Sequence, residues 1–184
     1  MKRLFPLLVC CLLLAGSCTK GEKSTWEQYR EWRDVNNDWL LEMQQRTNPD
    51  GTPYYKVVVP KWNPGSYILM HYFNDRSETE GNLSPLYSST VDTRYMLYLC
   101  NDVPCDSSTN LTTHGPGIYR SRVSTNIQGW AAALMEMRCG DTAEVVLPYG
   151  VAYGAQSIGS IPPYSALRFN VRLVDIPYYE ASPY

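Results

Sequence analysis

Two runs of strict alternation constrain this chain more than any other feature. Val91, Thr93, Tyr95, Leu97 and Leu99 share one face, and Leu167, Phe169, Val171 and Leu173 share another, in a strand ending near Ile176. A period of two belongs to strands with one side in a core. Between the runs, Asn126 is placed to cap a short helix holding Trp130, Ala131, Ala132, Ala133, Leu134, Met135 and Met137, with Gly140 as its stop. That helix is apolar nearly all round and is therefore expected to be buried. Tyr54–Val59 and Tyr67–Phe73, parted by the turn signal Asn63-Pro64-Gly65, read as two further strands, and Ala143–Leu147 as another. Glu78–Ser89 is polar and loop-like. Tyr, Val and Thr are plentiful, which favours sheet. One helix in a mainly antiparallel sheet predicts an α+β fold.

Ahead of this region, Ser24-Thr25-Trp26-Glu27 has the spacing of a capping box and opens a helical pattern. Trp26, Tyr29, Trp32, Trp39, Leu40 and Met43 fall roughly on one face, read as a packing surface. The breakers Asn48-Pro49-Asp50-Gly51-Thr52-Pro53 end it. An amphipathic helix outside the main core is expected here, so a chain starting near Pro53 should still fold cooperatively.

At the N-terminus, Lys2 and Arg3 precede an apolar run from Leu4 to Ala15. A run of about a dozen residues is short of the about 20 needed to cross a bilayer, and reads as the apolar region of a signal peptide. Leu14-Ala15-Gly16-Ser17-Cys18 resembles a lipobox, with Ala15 standing where Leu is usual. Cleavage there would leave Cys18 lipidated, anchoring the protein to a membrane in the cell envelope, on the periplasmic or cell-surface side. An ordinary secretory signal or a short anchor is the alternative. Removing residues 1–17 changes the balance of 16 Lys+Arg to 14, against 18 Asp+Glu, so the mature charge is 14 − 18 = −4. Such a balance offers no basic face for nucleic acid. A hydrophobic content of 44% excludes a disordered charged tail.

Common catalytic inventories are missing. The chain has two histidines, His71 and His114, and no paired Cys or His spacing that would hold zinc. Ala155-Gln156-Ser157-Ile158-Gly159 lacks the first Gly of a nucleophile elbow. Gly115-Pro116-Gly117 has too few glycines and no Lys for a phosphate loop. No cofactor and no metal are expected.

A set of motifs in order does carry a resemblance. Asn126-Ile127-Gln128-Gly129-Trp130, Met137-Arg138-Cys139-Gly140-Asp141, Leu147-Pro148-Tyr149-Gly150-Val151-Ala152-Tyr153-Gly154 and Ile161-Pro162-Pro163-Tyr164-Ser165-Ala166-Leu167-Arg168-Phe169 are similar to the FKBP-type peptidyl-prolyl isomerases. Val91–Leu99 followed by Asp106-Ser107-Ser108 resembles that family's strand, turn and Phe-Asp-Ser-Ser segment. The resemblance implies a bent antiparallel sheet wrapped around a short helix, acting on proline-containing polypeptides in a pocket between them and admitting macrolide-type ligands. The domain it implies spans 85–177, after a signal peptide at 1–17, a tether and helix at 18–53 and strands at 54–84, with a tail at 178–184.

Carried over by position, the resemblance makes Trp130 the floor under the proline ring, and Tyr95 and Phe169 aromatic walls. Ile127 would donate its backbone N–H to a substrate carbonyl, and Tyr153 its hydroxyl to another. Asp106 would be a buried carboxylate organising the pocket, and Ile161 would lie on the rim. Cys105 stands where the family has a pocket Phe, Gly117 or a neighbour where another aromatic is usual, Asn126 in place of an aliphatic, and Leu97 in place of a Gly. These departures imply a shallower, more polar pocket with Cys105 and Asn126 facing substrate, and a weaker isomerase assisting folding in the envelope. The alternative is a non-catalytic FKBP-like module that holds a partner. By the same resemblance Cys100 and Cys105 flank a hairpin loop, which leaves open a disulfide between them or two free thiols, with Cys139 unpaired.

Overall fold

Period-two patterning builds the sheet, and the described residues, 23–179, contain seven strands of it in the computed structural model. The leader, Cys18 and the 180–184 tail lie outside the described residues. In chain order the elements are α1 (Thr25–Gln28), α2 (Arg30–Gln45), β1 (Lys56–Val58), β2 (Ile68–Tyr72), β3 (Thr90–Leu99), β4 (Pro104–Ser107), β5 (Tyr119–Arg122), α3 (Gln128–Glu136), β6 (Thr142–Leu147) and β7 (Leu167–Asp175). The antiparallel sheet runs β1-β2-β6-β7-β3-β4, with β5 also pairing β3. One edge of β3 is therefore shared: Thr90–Thr93 pair with β5, and Met96–Tyr98 pair with β4. β1 and β2 belong to this same sheet, through the pairing of β2 with β6. No helix among the described residues is long and apolar enough to cross a membrane.

The alternation sends Leu97, Val145, Leu147, Phe169, Val171 and Leu173 to one face, where α3 packs with Trp130 and Leu134 buried among them. β6 is buried on both faces because the opposite side is covered too. There Leu40 and Met43 of α2 pack on Tyr55, Leu69, Val146 and Ala166. α3 begins one residue after its cap Ile127 and ends before Met137, so neither Asn126 nor Gly140 bounds it as the sequence suggests. Asn126 instead terminates a 3₁₀ turn at Val123–Thr125.

The N-terminal helix starts on its capping box, in which Ser24 Oγ accepts from the Glu27 N–H at 3.3 Å. The buried stripe of α2 is Arg33, Asn36, Leu40 and Met43, more polar than the aromatic face read from sequence. Asn36 is fully buried and satisfied: it accepts from the Ala166 N–H at 2.8 Å and donates to the Trp32 carbonyl at 2.7 Å. Trp26 is half-exposed and lies over the Arg33 guanidinium, 3.1 Å from carbon to ring centroid. Trp32 Nε1 donates to Ser165 Oγ at 3.0 Å. Thus α2 is fixed to the segment that leads into β7.

The loop read as plain and polar has a buried anchor. Asp141 is fully buried and accepts from Thr79 Oγ1 (2.6 Å), Asn74 Nδ2 (3.2 Å) and the Arg138 N–H (2.8 Å). Burial alone would push its carboxyl upward; these donors and Arg76 outweigh that and hold it below the usual carboxylate range.

Of the two states left open for Cys100 and Cys105, the structure has free thiols. The reason is register. Leu97 faces Asp106 and Tyr98 faces Pro104, which leaves Cys105 as the extra residue of a bulge. Cys100 sits in the turn, closed by the Leu99 N–H on the Val103 carbonyl at 3.0 Å. The two Cβ atoms are not opposed. Cys105 Sγ donates to the Leu97 carbonyl at 3.7 Å, and burial, with the nearby Asp106 charge, pushes its thiol up to about 11. Cys139 is also free.

Truncating Leu40, which is 5% exposed, should open a cavity between α2 and the sheet. Leu40→Ala is expected to cost about 2–4 kcal/mol by denaturant unfolding, whereas Leu41→Ala on the exposed side should cost under about 0.5 kcal/mol. Equal effects would show that α2 does not pack as described.

Candidate active site

A cavity of about 330 Å³ opens where β3, β5, β7 and the start of α3 converge. Its lining includes Tyr95 and Leu97 from β3, Tyr119 from β5, Ile127 and Trp130 at α3, Tyr153 and Phe169. Period-two placement explains the sheet contributions: Leu97 lies directly opposite Phe169, and Thr93 opposite Tyr119. Trp130 is almost fully buried, with its ring 4.6 Å from Phe169 and 5.6 Å, edge-on, from Tyr95. Tyr95 in turn meets Tyr119 edge-on at 5.6 Å. These are favoured aromatic geometries that hold a rigid apolar surface.

Polar groups are few and specifically placed. Tyr95 Oη donates to Asp106 Oδ2 at 2.7 Å, and the Ser107 N–H donates to Asp106 Oδ1 at 2.8 Å. Burial, then the hydrogen bond to Asp106, pushes the Tyr95 hydroxyl well above its ordinary range. Burial and then the Asp106 charge raise Tyr153 as well. Both phenols stay protonated at neutral pH. Among the described residues, the Tyr153 hydroxyl and the Ile127 N–H have no hydrogen-bond acceptor. Tyr153 precedes Gly154, whose φ of +60° turns the chain so that its carbonyl accepts from the Tyr164 N–H at 2.7 Å.

Seven of the residues picked from sequence are brought together: Tyr95, Asp106, Asn126, Ile127, Trp130, Tyr153 and Phe169. Their environments differ from expectation in several places. Asp106 is exposed at the rim rather than buried. Ile161 is buried in the core and pairs with Ile158, away from the lining. Cys105 turns to the Leu97 carbonyl and the core, so it is not a lining residue either. Asn126 lines the cavity, yet its amide is occupied by the loop: Nδ2 donates to the Arg122 and Val123 carbonyls at 2.8 and 3.3 Å. Its Oδ1 accepts from the Tyr119 hydroxyl at 3.4 Å.

Leu97, Tyr119 and Thr125 are the lining residues that sequence reasoning did not assign. Tyr119 is an aromatic lining residue two positions after Gly117, at or beside which another aromatic is usual by the resemblance. Gly117 itself has φ of +69° and lies near Arg94 and Ser108. The site holds no histidine, and no metal-binding cluster occurs among the described residues. His71 stacks on Tyr54 at 3.8 Å instead.

Residues 82–174 match the family model described as FKBP-type peptidyl-prolyl cis-trans isomerase. A relative named macrophage infectivity potentiator, from Trypanosoma cruzi, is 49% identical over 51 residues, 27% of this chain and 26% of that protein. FkpA from Escherichia coli K12, named an FKBP-type isomerase, is 32% identical over 103 residues, 54% of this chain and 37% of the relative. The chain thus spans about a quarter to two fifths of the length of the curated relatives it matches. A crystal structure of a peptidyl-prolyl cis-trans isomerase from Pseudomonas syringae pv. tomato shares the fold, with a TM-score of 0.63 at 22% identity, over 85% of this chain and 98% of that one.

Asn126 ties β5 and the 3₁₀ turn into one unit, so its loss should loosen that corner. Asn126→Val is expected to cost about 1–2 kcal/mol in denaturant unfolding, and Asn126→Asp should not recover it, because the two carbonyls need donors. A variant as stable as the parent would contradict the described role.

Proposed function

Because this chain belongs to the FKBP-type peptidyl-prolyl cis-trans isomerase family, we propose that its cavity catalyses rotation about Xaa–Pro peptide bonds in polypeptides. The observation that carries this reading is an aromatic cavity lined by Tyr153 and Ile127, whose hydroxyl and backbone N–H have no acceptor among the described residues. Rotating the amide breaks resonance and costs about 18–20 kcal/mol in water. The planar amide is more polar than the twisted one, so water holds back the reaction. In the proposed mode, Trp130 lies under the proline ring, and Tyr95, Tyr119 and Phe169 exclude water around it. The Ile127 N–H and the Tyr153 hydroxyl each donate to a carbonyl beside the bond and keep the flanking chain in place while the imide turns. Asp106 acts through Tyr95, holding its ring against Trp130. No bond to the protein forms, and no proton is transferred. Interactions that favour the twisted state over the planar one lower the barrier.

The non-catalytic alternative would use the altered pocket at Cys105 and Gly117, or the Trp26–Met43 stripe, to hold a partner; against its pocket form stands Tyr119, an aromatic lining residue two positions after Gly117. The same apolar surface would suit a macrolide-type ligand. For location, Leu14–Cys18 supports export and lipidation of Cys18, which would place the isomerase on a membrane of the cell envelope. Two or more acyl chains are needed for firm anchoring. Labelling cells with a radioactive fatty acid should mark the protein, and Cys18→Ser should abolish the label; an unlabelled parent protein would remove the anchor from this account.

A protease-coupled assay on a proline tetrapeptide tests the activity. Tyr153→Phe should lower kcat/KM about ten-fold, the worth of one hydrogen bond of about 1.4 kcal/mol. The rate should be level from about pH 6 to 9, since raised phenol pKa values keep both hydroxyls protonated above their usual value of about 10. Rates equal to the uncatalysed reaction, or a titration centred near pH 7, would overturn the reading.

A further inference from the structure

Two half-exposed aromatic side chains stand on loops that are bonded to the elements bordering the cavity, outside the machinery described above. Trp62, in the β1–β2 connection, is 49% exposed, and Tyr87, in the segment before β3, is 53% exposed. They come from separate loops yet converge, with ring centroids 6.0 Å apart. Beneath Trp62, a second cavity of about 250 Å³ runs along α3 between Val59, Pro60, Ala132 and Met135.

Both loops are bonded to the elements that border the first cavity. Asn63, next to Trp62, donates through Nδ2 to Gln128 Oε1 at 3.3 Å, one residue beyond Ile127. The segment after Tyr87 accepts twice: Ser88 O from Arg122 Nε at 3.1 Å, and Ser89 O from the Val123 N–H at 2.9 Å. The 3₁₀ turn beginning at Val123 ends at Thr125, a lining residue of the first cavity. A helix rises about 1.5 Å per residue, which puts Ala132 and Met135 about 7.5 and 12 Å along α3 from Ile127. An extended peptide advances about 3.3 Å per residue, so that distance is covered in about two to four residues.

We propose that Trp62 and Tyr87 form a docking shelf for an apolar side chain of the same polypeptide whose prolyl bond occupies the first cavity. The inference rests on the isomerase reading of that cavity and adds a preference among clients, namely unfolded segments with an aromatic or large aliphatic residue a few positions from the proline. A cavity of about 250 Å³ suits one or two side chains. A stable protein–protein interface buries about 1,200 Å² or more, which two side chains do not supply. The occupant is therefore a peptide segment and not a second copy.

The test compares two peptides that share one proline tetrapeptide and continue with four residues, apolar in one and Ser/Gly in the other. With the full chain, the apolar peptide should bind about ten-fold more tightly by calorimetry and show a similarly higher kcat/KM, in line with one or two added aromatic contacts. Trp62→Ala/Tyr87→Ala should remove that preference while leaving the bare tetrapeptide within about two-fold of the parent. Tyr87→Ser alone, at a half-exposed position, should remove part of it without touching the core. Equal binding of both peptides by the parent chain would overturn the proposal, as would a preference that survives the double substitution. Self-association of the parent abolished by the double substitution would also overturn it, assigning the shelf to a second copy. If no peptide is isomerised, the isomerase reading fails, while the calorimetric ratio still reports on the shelf.

Discussion

The close approach of α3 to β6 decides where the cavity lies. A Cβ on Gly129 would stand 2.7 Å from Leu147 Cδ2 and 3.1 Å from Val151 Cγ2, so a larger residue would have to push those buried side chains aside, and glycine lets the helix backbone rest directly on them. With the backbone seated this deep, the next residue, Trp130, enters the aromatic layer and meets Phe169 and Tyr95. The helix is short because its work is positional. With its cap Ile127, it brings two lining residues, Ile127 and Trp130, to the cavity within one turn.

Sharing of the β3 edge is the second condition. β5 takes the first half of that edge and brings Tyr119 to the wall, while β4 takes the second half and brings Asp106 within reach of the Tyr95 hydroxyl. The bulge at Cys105 makes this possible by letting the partner strand slip one residue, which also separates Cys105 from Cys100. On the far face, α2 covers Leu69 and Val146, so β2 and β6 are fixed from both sides. The Asp141 cluster ties the long connection before β3 to the turn after α3. The site is thereby framed on regular, packed elements, with Tyr153 the lining donor carried on a loop.

What was legible in the sequence follows the physics of each signal. Alternation over Val91–Leu99 and Leu167–Leu173 located the two central strands, because half-buried strands must alternate. Seven of the positions named by motif order line one cavity. β5 was not recognised, because Tyr119–Arg122 is four residues long and carries two arginines. Asn126 was misread as a helix cap because a capping side chain one residue out of place serves the preceding 3₁₀ turn equally well. Asp106 was expected to be buried, yet its bond to Tyr95 needs only proximity at the rim. The polar stripe of α2 was hidden by its tryptophans: burial of Asn36 and Arg33 depends on partners at Ala166 and Trp26 that no local pattern announces.

The cavity is expected to act as a rigid apolar surface that removes water from a turning amide. Exchange spectroscopy on a proline peptide, with the backbone amide of Ile127 observed in the same sample, tests that claim most directly. With a small fraction of protein present, cis–trans exchange should move from tens of seconds into the sub-second range, and the Ile127 amide should shift on saturation. Exchange that stays at the uncatalysed rate while the Ile127 amide shifts would contradict catalysis and leave a cavity that only binds.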